Sequence, residues 1–402
     1  MSDKTQNIKT KLEGMILTIY LEGIIDKNSS PDLEKQIFTA INSNPKTLPK
    51  FDVEGLKDIS NEGIHLFKKI QSIIPIKLKI QNVSNEIYDI LYNTGLTEIY
   101  NVKKVLRTIN IEELEKIGDG VMSKVYKLDE GKVIKVFESN INFDFMIERE
   151  NEFAKVAFIS GVPTPISYDI VKVGNNFGNI YEYLDAKDLV VIMENDKDHL
   201  VDYIKLFANE LNKVHKIKIN PEKSESIKNK SLELLPLLEG EGKILNKEEM
   251  EKIKKIFEII PDSNTFIHGD CHPGNVMYKN DKLFFIDLGT SGYGHPIFDI
   301  GSMFMLYNIV AADPERRKKG QAIKGFNDEE IKKIYEEFLK EYLGTDDKNL
   351  IEKANRQIQG VACSRALFAE IAMPGIIPRA GLEIFKEIAI QYHDKGIEPI
   401  CF

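Results

Sequence analysis

Cysteine is scarce and scattered: Cys271, Cys363 and Cys401 are the only three, and no C-x-x-C spacing occurs. A disulfide framework or a structural zinc site needs more thiols or closer ones, so both are excluded. No uncharged apolar run reaches the roughly eighteen residues that a membrane-spanning helix needs. The opening stretch MSDKTQNIKTKLEG lacks the apolar core and small-residue cleavage site of a secretory signal. A reducing cytoplasm, without membrane association, is therefore the expected setting. Long basic blocks are also missing, and the net charge is −9, which argues against nucleic acid as a main partner. Neither internal repeats nor low-complexity tracts are found. What is present is ordinary globular composition, 42% hydrophobic and 29% charged, over 402 residues, enough for two or three folding units.

The character of the chain changes near residue 105. Before it, apolar runs at 15–20, 51–53 and 76–80 have the composition of strands. Between them, 31–40, 61–70 and 85–92 carry apolar residues at helical spacing, with Ser30 as the expected N-cap of the first and Gly95 closing the last. Alternating strands and helices over about a hundred residues predict a small α/β sheet layered with helices. Residues 103–112, KKVLRTINIE, contain no Gly or Pro, which predicts a strand or short stiff connection at the junction.

The phrases LEGIID, SSPDLEKQI, FDVEGLKDISNEGIHLF and NTGLTEIYNV follow one another in this first region. In order and pattern they resemble the STAS domain of bacterial anti-sigma-factor antagonists. The resemblance implies a regulatory or docking module with a protein partner. In that family a Ser or Thr at the start of the helix after the second core strand is phosphorylated, where free N–H groups and the helix dipole favour the phosphate. Aligning Gly63 with the family's glycine places Asn61 at that position, with Ser60 one residue earlier, so this sequence departs from the pattern. A module that only docks is the expectation.

The chemistry concentrates in FIHGDCHPGNVMYKNDKLFFIDLGTSGYGHPIFDIG, residues 266–301. Phosphoryl transfer requires a positioned acceptor hydroxyl, neutralised phosphate charge and exclusion of stray water. Mg2+ takes one or two oxygen ligands from protein and the rest from phosphate and water. Asp270 can accept the hydroxyl hydrogen bond, and the Asn275 amide oxygen and Asp287 carboxylate can hold the metal. Residues 276–278 and 283–286 read as two strands turned at 279–281, a hairpin that would bring Asn275 and Asp287 to one mouth. Upstream, LEKIGDGVMSKVY offers Gly118 and Gly120 for a tight turn whose N–H groups can face phosphate, and Ser123 adds a hydroxyl. Lys135 stands within the apolar strand VIKVF, where an ammonium needs a partner anion. Glu150 is the best carboxylate for it, with Glu152 the rival on the same helix. Residues 179–184, NIYEYL, have the look of the strand leading to a hinge, where the Glu182 carbonyl and Leu184 N–H would read adenine.

From the glycine turn to the metal aspartate, these signals resemble, in kind and order, the aminoglycoside phosphotransferase and choline kinase family within the protein-kinase-like fold. The likeness spans about 110–300. It implies ATP and Mg2+ as cofactors, Asp270 as base or orienter, and Asp299 as a buried brace for the loop; His272 and His295 are assigned to packing. The expected architecture is an α/β STAS-like domain at 1–105, followed by an α+β bilobal protein-kinase-like domain at 106–402. Its N-lobe would cover about 110–184 and its C-lobe about 185–402. The expected activity is phosphorylation of a small hydroxylated substrate (amino sugar, amino alcohol or sugar). The predicted helices at 328–342, 349–369 and 381–393 would supply the acceptor pocket, and their interleaved charges do not gather the carboxylates a polycation would need. Arg365 and Arg379 could meet an anionic acceptor, but arginines on helix surfaces usually have no such role. Two alternatives remain open: a nucleotide-binding scaffold, and a protein kinase in a sigma-factor circuit, the latter disfavoured by HGD-HPGN in place of H-R-D.

Overall fold

The computed structural model describes residues 8–120, 123–137, 143–320 and 322–402, and divides into two compact units, Met1–Ile109 and Asn110–Phe402. Within the first, five strands lie in the order β1 (Lys9–Glu13), β2 (Ile16–Ile25), β3 (Leu48–Ile59), β4 (Lys79–Val83) and β5 (Asn101–Lys104). β1 pairs antiparallel with β2, and every later pair is parallel. Parallel neighbours need crossovers. These are α1 (Ser30–Asn42), α2 (Asn61–Ile73), and the pair α3 (Asn85–Asn93) and α4 (Leu96–Ile99).

The crossover helices bury Leu33 and Ile37, Ile64, Phe67 and Ile70, and Ile87 and Leu91 against Leu17, Ile19, Phe51 and Val53 of the sheet. The Ser60 and Ser84 hydroxyls cap α2 and α3, accepting from the N–H groups of Glu62 and Ile87. Gly63 is required by packing, because a Cβ there would sit 2.6 Å from Ile59 and 2.8 Å from Ile25. Three readings shift. The 76–80 strand forms at Lys79–Val83, α1 is preceded by Ser29 instead of being capped by Ser30, and β1 was not foreseen. β1 is exposed along its whole length, so its sequence carries no apolar signal. The Val105 N–H still donates to Val83, so pairing of the first unit reaches into the expected junction.

The second unit opens with an antiparallel sheet: β6 (Lys116–Asp119), β7 (Ser123–Asp129), β8 (Lys132–Phe137), β9 (Ser167–Val173) and β10 (Asn176–Glu182), ordered β6-β7-β8-β10-β9. Between β8 and β9 runs α5 (Phe143–Ile159). Beyond β10, β11 (Lys187–Asp188) joins the hairpin of β13 (Val276–Lys279) and β14 (Lys282–Phe285), while β12 (Thr265–Ile267) pairs with β15 (Gly292–Gly294).

The rest is helical. α6 (Leu189–Asn195), α7 (Leu200–Val214), α8 (Ile227–Leu234) and α9 (Lys247–Glu258) precede the β12–β15 region. α10 (Ile297–Phe304), α11 (Pro314–Lys319), α12 (Asp328–Leu343), α13 (Lys348–Ala366), α14 (Ala369–Ala372) and α15 (Arg379–Asp394) follow it. One apolar core joins them; Phe207 of α7 meets Phe338 of α12 with ring centroids 5.6 Å apart. Among the described residues no helix is long and apolar enough to cross a membrane.

Candidate active site

β8 places Lys135 between two carboxylates. Its Nζ donates to Glu150 Oε1 at 2.9 Å, to Glu150 Oε2 at 3.1 Å and to Asp287 Oδ1 at 3.1 Å. Burial alone would lower the lysine pKa, but the charges of Glu150 and Asp287 outweigh it and hold the ammonium well above its ordinary value. Glu150 is itself fixed by the Tyr181 hydroxyl, which donates to Oε1 at 2.7 Å. Asn151 ties the same helix to β9 through Ser167 at 2.8 Å. Glu152, the alternative partner in the sequence, lies on the exposed face of α5.

The loop after β12 is held from beneath. Asp299, fully buried in the first turn of α10, accepts from the N–H of His268 at 2.8 Å and of Gly269 at 2.7 Å. His215 at the end of α7 lies 3.0 Å from the same carboxylate oxygen that the His268 N–H reaches, and its other ring nitrogen is 2.6 Å from the Tyr342 hydroxyl of α12. Burial pushes the Asp299 carboxyl upward, and the bonds and charges from His215 and His268 bring it below the usual carboxylate range. Gly269 has φ +87°, and a Cβ there would overlap the Thr290 carbonyl. The neighbouring Asp270 is thereby turned outward, with 57% of its side chain exposed. His268 bridges to Ile286, its Nε2 being 2.9 Å from that carbonyl, and its Nδ1 accepts from the Asp270 N–H at 3.3 Å.

Asn275 uses its amide nitrogen inward, donating to the Asp270 carbonyl at 2.9 Å and to Asp270 Oδ2 at 3.2 Å. That orientation leaves Oδ1 as the outward acceptor. The hairpin register from Val276 opposite Phe285 to Lys279 opposite Lys282, with Asn280 and Asp281 both at positive φ in the turn, brings the two ends together. The Ile286 N–H donates to the Asn275 carbonyl at 3.0 Å, setting Asp287 beside it. Asp287 has φ +63° and ψ +60°, an uncommon conformation for a residue with a side chain, and is half exposed. Burial raises its pKa, but Lys135, His268 and His272 outweigh that and hold it below the ordinary value. Among the described residues no three His, Cys, Asp or Glu side chains form a protein-only metal cage. Asn275 and Asp287 instead offer two oxygens at one mouth, a set suited to Mg2+ shared with phosphates.

The remaining expected contacts are backbone features. The Gly120 N–H donates to the Ser123 carbonyl at 2.8 Å, while Val121 and Met122 lie outside the described residues. Gly118 stands opposite Val125, and Ser123 opposite Phe137, two residues along β8 from Lys135. Glu182 ends β10 opposite Lys132, with its carboxylate accepting from the Ile166 N–H. Leu184 follows at the crossover to β11, its carbonyl accepting from Ala186. His295 and His272 are both engaged in loop packing through Nδ1, accepting from Ile297 and Gly274. Beside Asp270 opens a cavity of about 880 Å³ between α5, α8, α10, α13 and α14, with Arg365 in its wall. Arg379 instead pairs with Glu383 and the 242–243 backbone.

The sequence profile of the phosphotransferase enzyme family matches residues 113–333, more than half of the chain. The chain belongs to this family. Among curated proteins, no match to this phosphotransferase is found. Solved structures similar to it include a choline/ethanolamine kinase family protein from Mesorhizobium loti, 13% identical, covering 70% of this chain and 92% of that one with a TM-score of 0.43. An aminoglycoside phosphotransferase from Streptomyces rimosus is 15% identical over 70% and 92%, with a TM-score of 0.38. A macrolide 2′-phosphotransferase from Brachybacterium faecium is 13% identical over 71% and 93%, with a TM-score of 0.35.

Two members of this side-chain cluster escaped sequence reasoning. Tyr181 sits in the expected hinge strand, but nothing in its spacing marks its hydroxyl as the orienter of Glu150. His215 ends an amphipathic helix and is brought to Asp299 across 84 residues, a contact that no local pattern announces.

Proposed function

We propose that this phosphotransferase moves the γ-phosphoryl group of ATP to a hydroxyl of a small molecule, using Mg2+. The observation that carries the reading is the set of three bonds from Lys135 to Glu150, from Lys135 to Asp287 and from Asn275 to Asp270. Lys135, held by Glu150, would orient the nucleotide phosphates. Gly118, Gly120 and Ser123 would cover them, and the Glu182 carbonyl and Leu184 N–H would meet the base. Mg2+, held by Asn275 and Asp287, would neutralise phosphate charge. Asp270 accepts the acceptor's hydroxyl proton as the new O–P bond forms and the bond to the ADP oxygen breaks. General-base help of this kind contributes about 10²–10⁴-fold, the rest coming from positioning and charge. The Asp299–His215–Tyr342 chain keeps Asp270 in place throughout.

The first unit is, on the same proposal, a STAS-like docking module working in the cytoplasm. Its mixed five-stranded sheet, its helical crossovers and the Ser60 cap at the start of α2 support that reading. Ser60 already donates to Glu62 Oε2 at 2.6 Å, and a phosphate there would face that carboxylate, so docking without phosphorylation is favoured.

The test is ATP consumption with Mg2+ across amino sugars, amino alcohols, sugars and hydroxy acids, comparing the wild type with Asp270→Ala. Turnover of at least one hydroxyl compound, lost in the variant, is expected. Nucleotide binding with no such turnover would replace the enzymatic reading by a scaffold.

A further inference from the structure

We infer that the acceptor is an anionic alcohol: a hydroxyl compound with an apolar body and a carboxylate or phosphate group, recognised by Arg365. The inference rests on the phosphotransfer reading above and names the substrate class of that same site.

The cavity beside Asp270 decides this by what lines it. Its surface is mostly apolar, with Met146, Leu234, Phe298, Met305, Phe368 and Met373 among its walls. Its charged side chains are three cations, Arg149, Lys230 and Arg365, and two carboxylates, Glu225 and Asp270. Glu225 is already matched by Arg149 at 3.0 Å. Asp270 is committed to the acceptor hydroxyl. A polycationic acceptor would therefore meet no spare carboxylate and two surplus cations. An amino alcohol would meet the same mismatch.

Arg365 is the stronger of the two surplus groups. It projects from α13, its Nη1 donates only weakly to the Phe298 carbonyl at 3.4 Å, and its guanidinium lies 5.7 Å from the Phe298 ring centroid. It forms no ion pair among the described residues, although burial disfavours its charge and the nearby Asp299 and Asp270 only partly offset that. A guanidinium in such a wall presents a planar fork to a carboxylate or phosphate. Lys230, also without an ion pair among the described residues, adds a second positive charge on α8. The volume, about 880 Å³, is that of a pocket for a molecule with a sizeable apolar body.

The experiment uses the full chain with Mg2+ and ATP. The probes are hydroxy acids from hydroxybutyrate to hydroxydodecanoate, their methyl esters, the amino alcohols of matching length and the corresponding hydroxyalkyl phosphates. The acids or phosphates are expected to exceed esters and amino alcohols in kcat/KM by at least about tenfold, and comparison of the two anions identifies the source of the charge. Affinity should rise up to about fourfold per added methylene until the cavity is filled. Arg365→Met should raise KM for the anions by about ten- to a hundredfold, leaving KM for ATP and for the esters unchanged, and Arg365→Lys should recover part of the loss.

Preference for amino alcohols, or an unchanged acid-to-ester ratio in Arg365→Met, overturns the inference. Calorimetric binding of the same probes to the Asp270→Asn variant separates this failure from that of the parent reading. Anion binding lost in Arg365→Met, without turnover by the wild type, supports the pocket and removes the enzyme. Turnover confined to uncharged or cationic alcohols does the reverse.

Discussion

Removing the cation at 135 should cost more than removing both members of its pair. The side chains of Lys135 and Glu150 are only 13% and 6% exposed. In Lys135→Met, the Glu150 carboxylate keeps one hydrogen bond, from Tyr181, and loses two charge-assisted ones. Breaking a buried pair from one side costs about 3–5 kcal/mol. Asp287 is half exposed and regains water, so the lower end, about 3 kcal/mol, is expected here. Glu150→Gln leaves Lys135 with Asp287 and should cost about 2 kcal/mol. The double variant buries neither an unpaired carboxylate nor an unpaired ammonium, and should lose only about 1–2 kcal/mol. The cycle would then show a coupling of about 3–4 kcal/mol between the two positions. Urea unfolding of the full chain, followed by circular dichroism, reads this. The transition of the second unit is recognised in the wild type by its shift with Mg2+ and ATP. A double variant as unstable as the sum of the single losses would refute the reasoning, since the two groups would then act independently.

Three further outcomes follow from the loop and its brace. Asp299→Asn puts an amide against a backbone donor in a fully buried site and should destabilise the second unit by about 3 kcal/mol. With the loop displaced, turnover should fall about a hundredfold while ATP affinity measured by calorimetry changes little. Gly269→Ala should destabilise by about 3 kcal/mol or more in thermal unfolding, because its Cβ would lie 2.8 Å from the Thr290 carbonyl carbon at φ +87°. His295 is held by burial at a pKa of about 4, below its ordinary 6.5. The unfolded chain therefore takes up the proton first, so stability is full above pH 6.5 and falls as the pH drops towards 4. The loss should total about 3 kcal/mol, and His295→Gln should flatten that part of the stability–pH curve.

The hairpin from 276 to 285 was legible because short-range signals agree: two apolar runs, a turn of Lys279, Asn280 and Asp281, and polar ends. The helices α12, α13 and α15 were likewise close to their expected limits, since amphipathic spacing over many residues is hard to mistake. The expected helix at 349–369 nevertheless breaks after Ala366, with α14 as a separate turn. The choice between Glu150 and Glu152 was beyond sequence, since both fit the spacing and only the rotation of α5 separates them. Arg365 and Arg379 were equally indistinguishable as helix arginines; a cavity wall receives the first and a surface carboxylate the second. Long-range contacts such as His215 with Asp299 leave no trace in local pattern. In the first unit the β1 strand was missed for the opposite reason: an exposed edge strand needs no apolar alternation to pair.

The Lys135–Asp287 bond joins positions 152 residues apart, and the loop between them is anchored by Asp299 still further along. A chain emerging from the ribosome thus carries the glycine turn, lysine and glutamate long before it carries the aspartate that faces them. Closing so long a loop is entropically unfavourable until the helices between have packed. The Lys135–Asp287 contact therefore forms only after synthesis has passed residue 287, and chains that stop earlier lack one of the two carboxylates that hold the lysine.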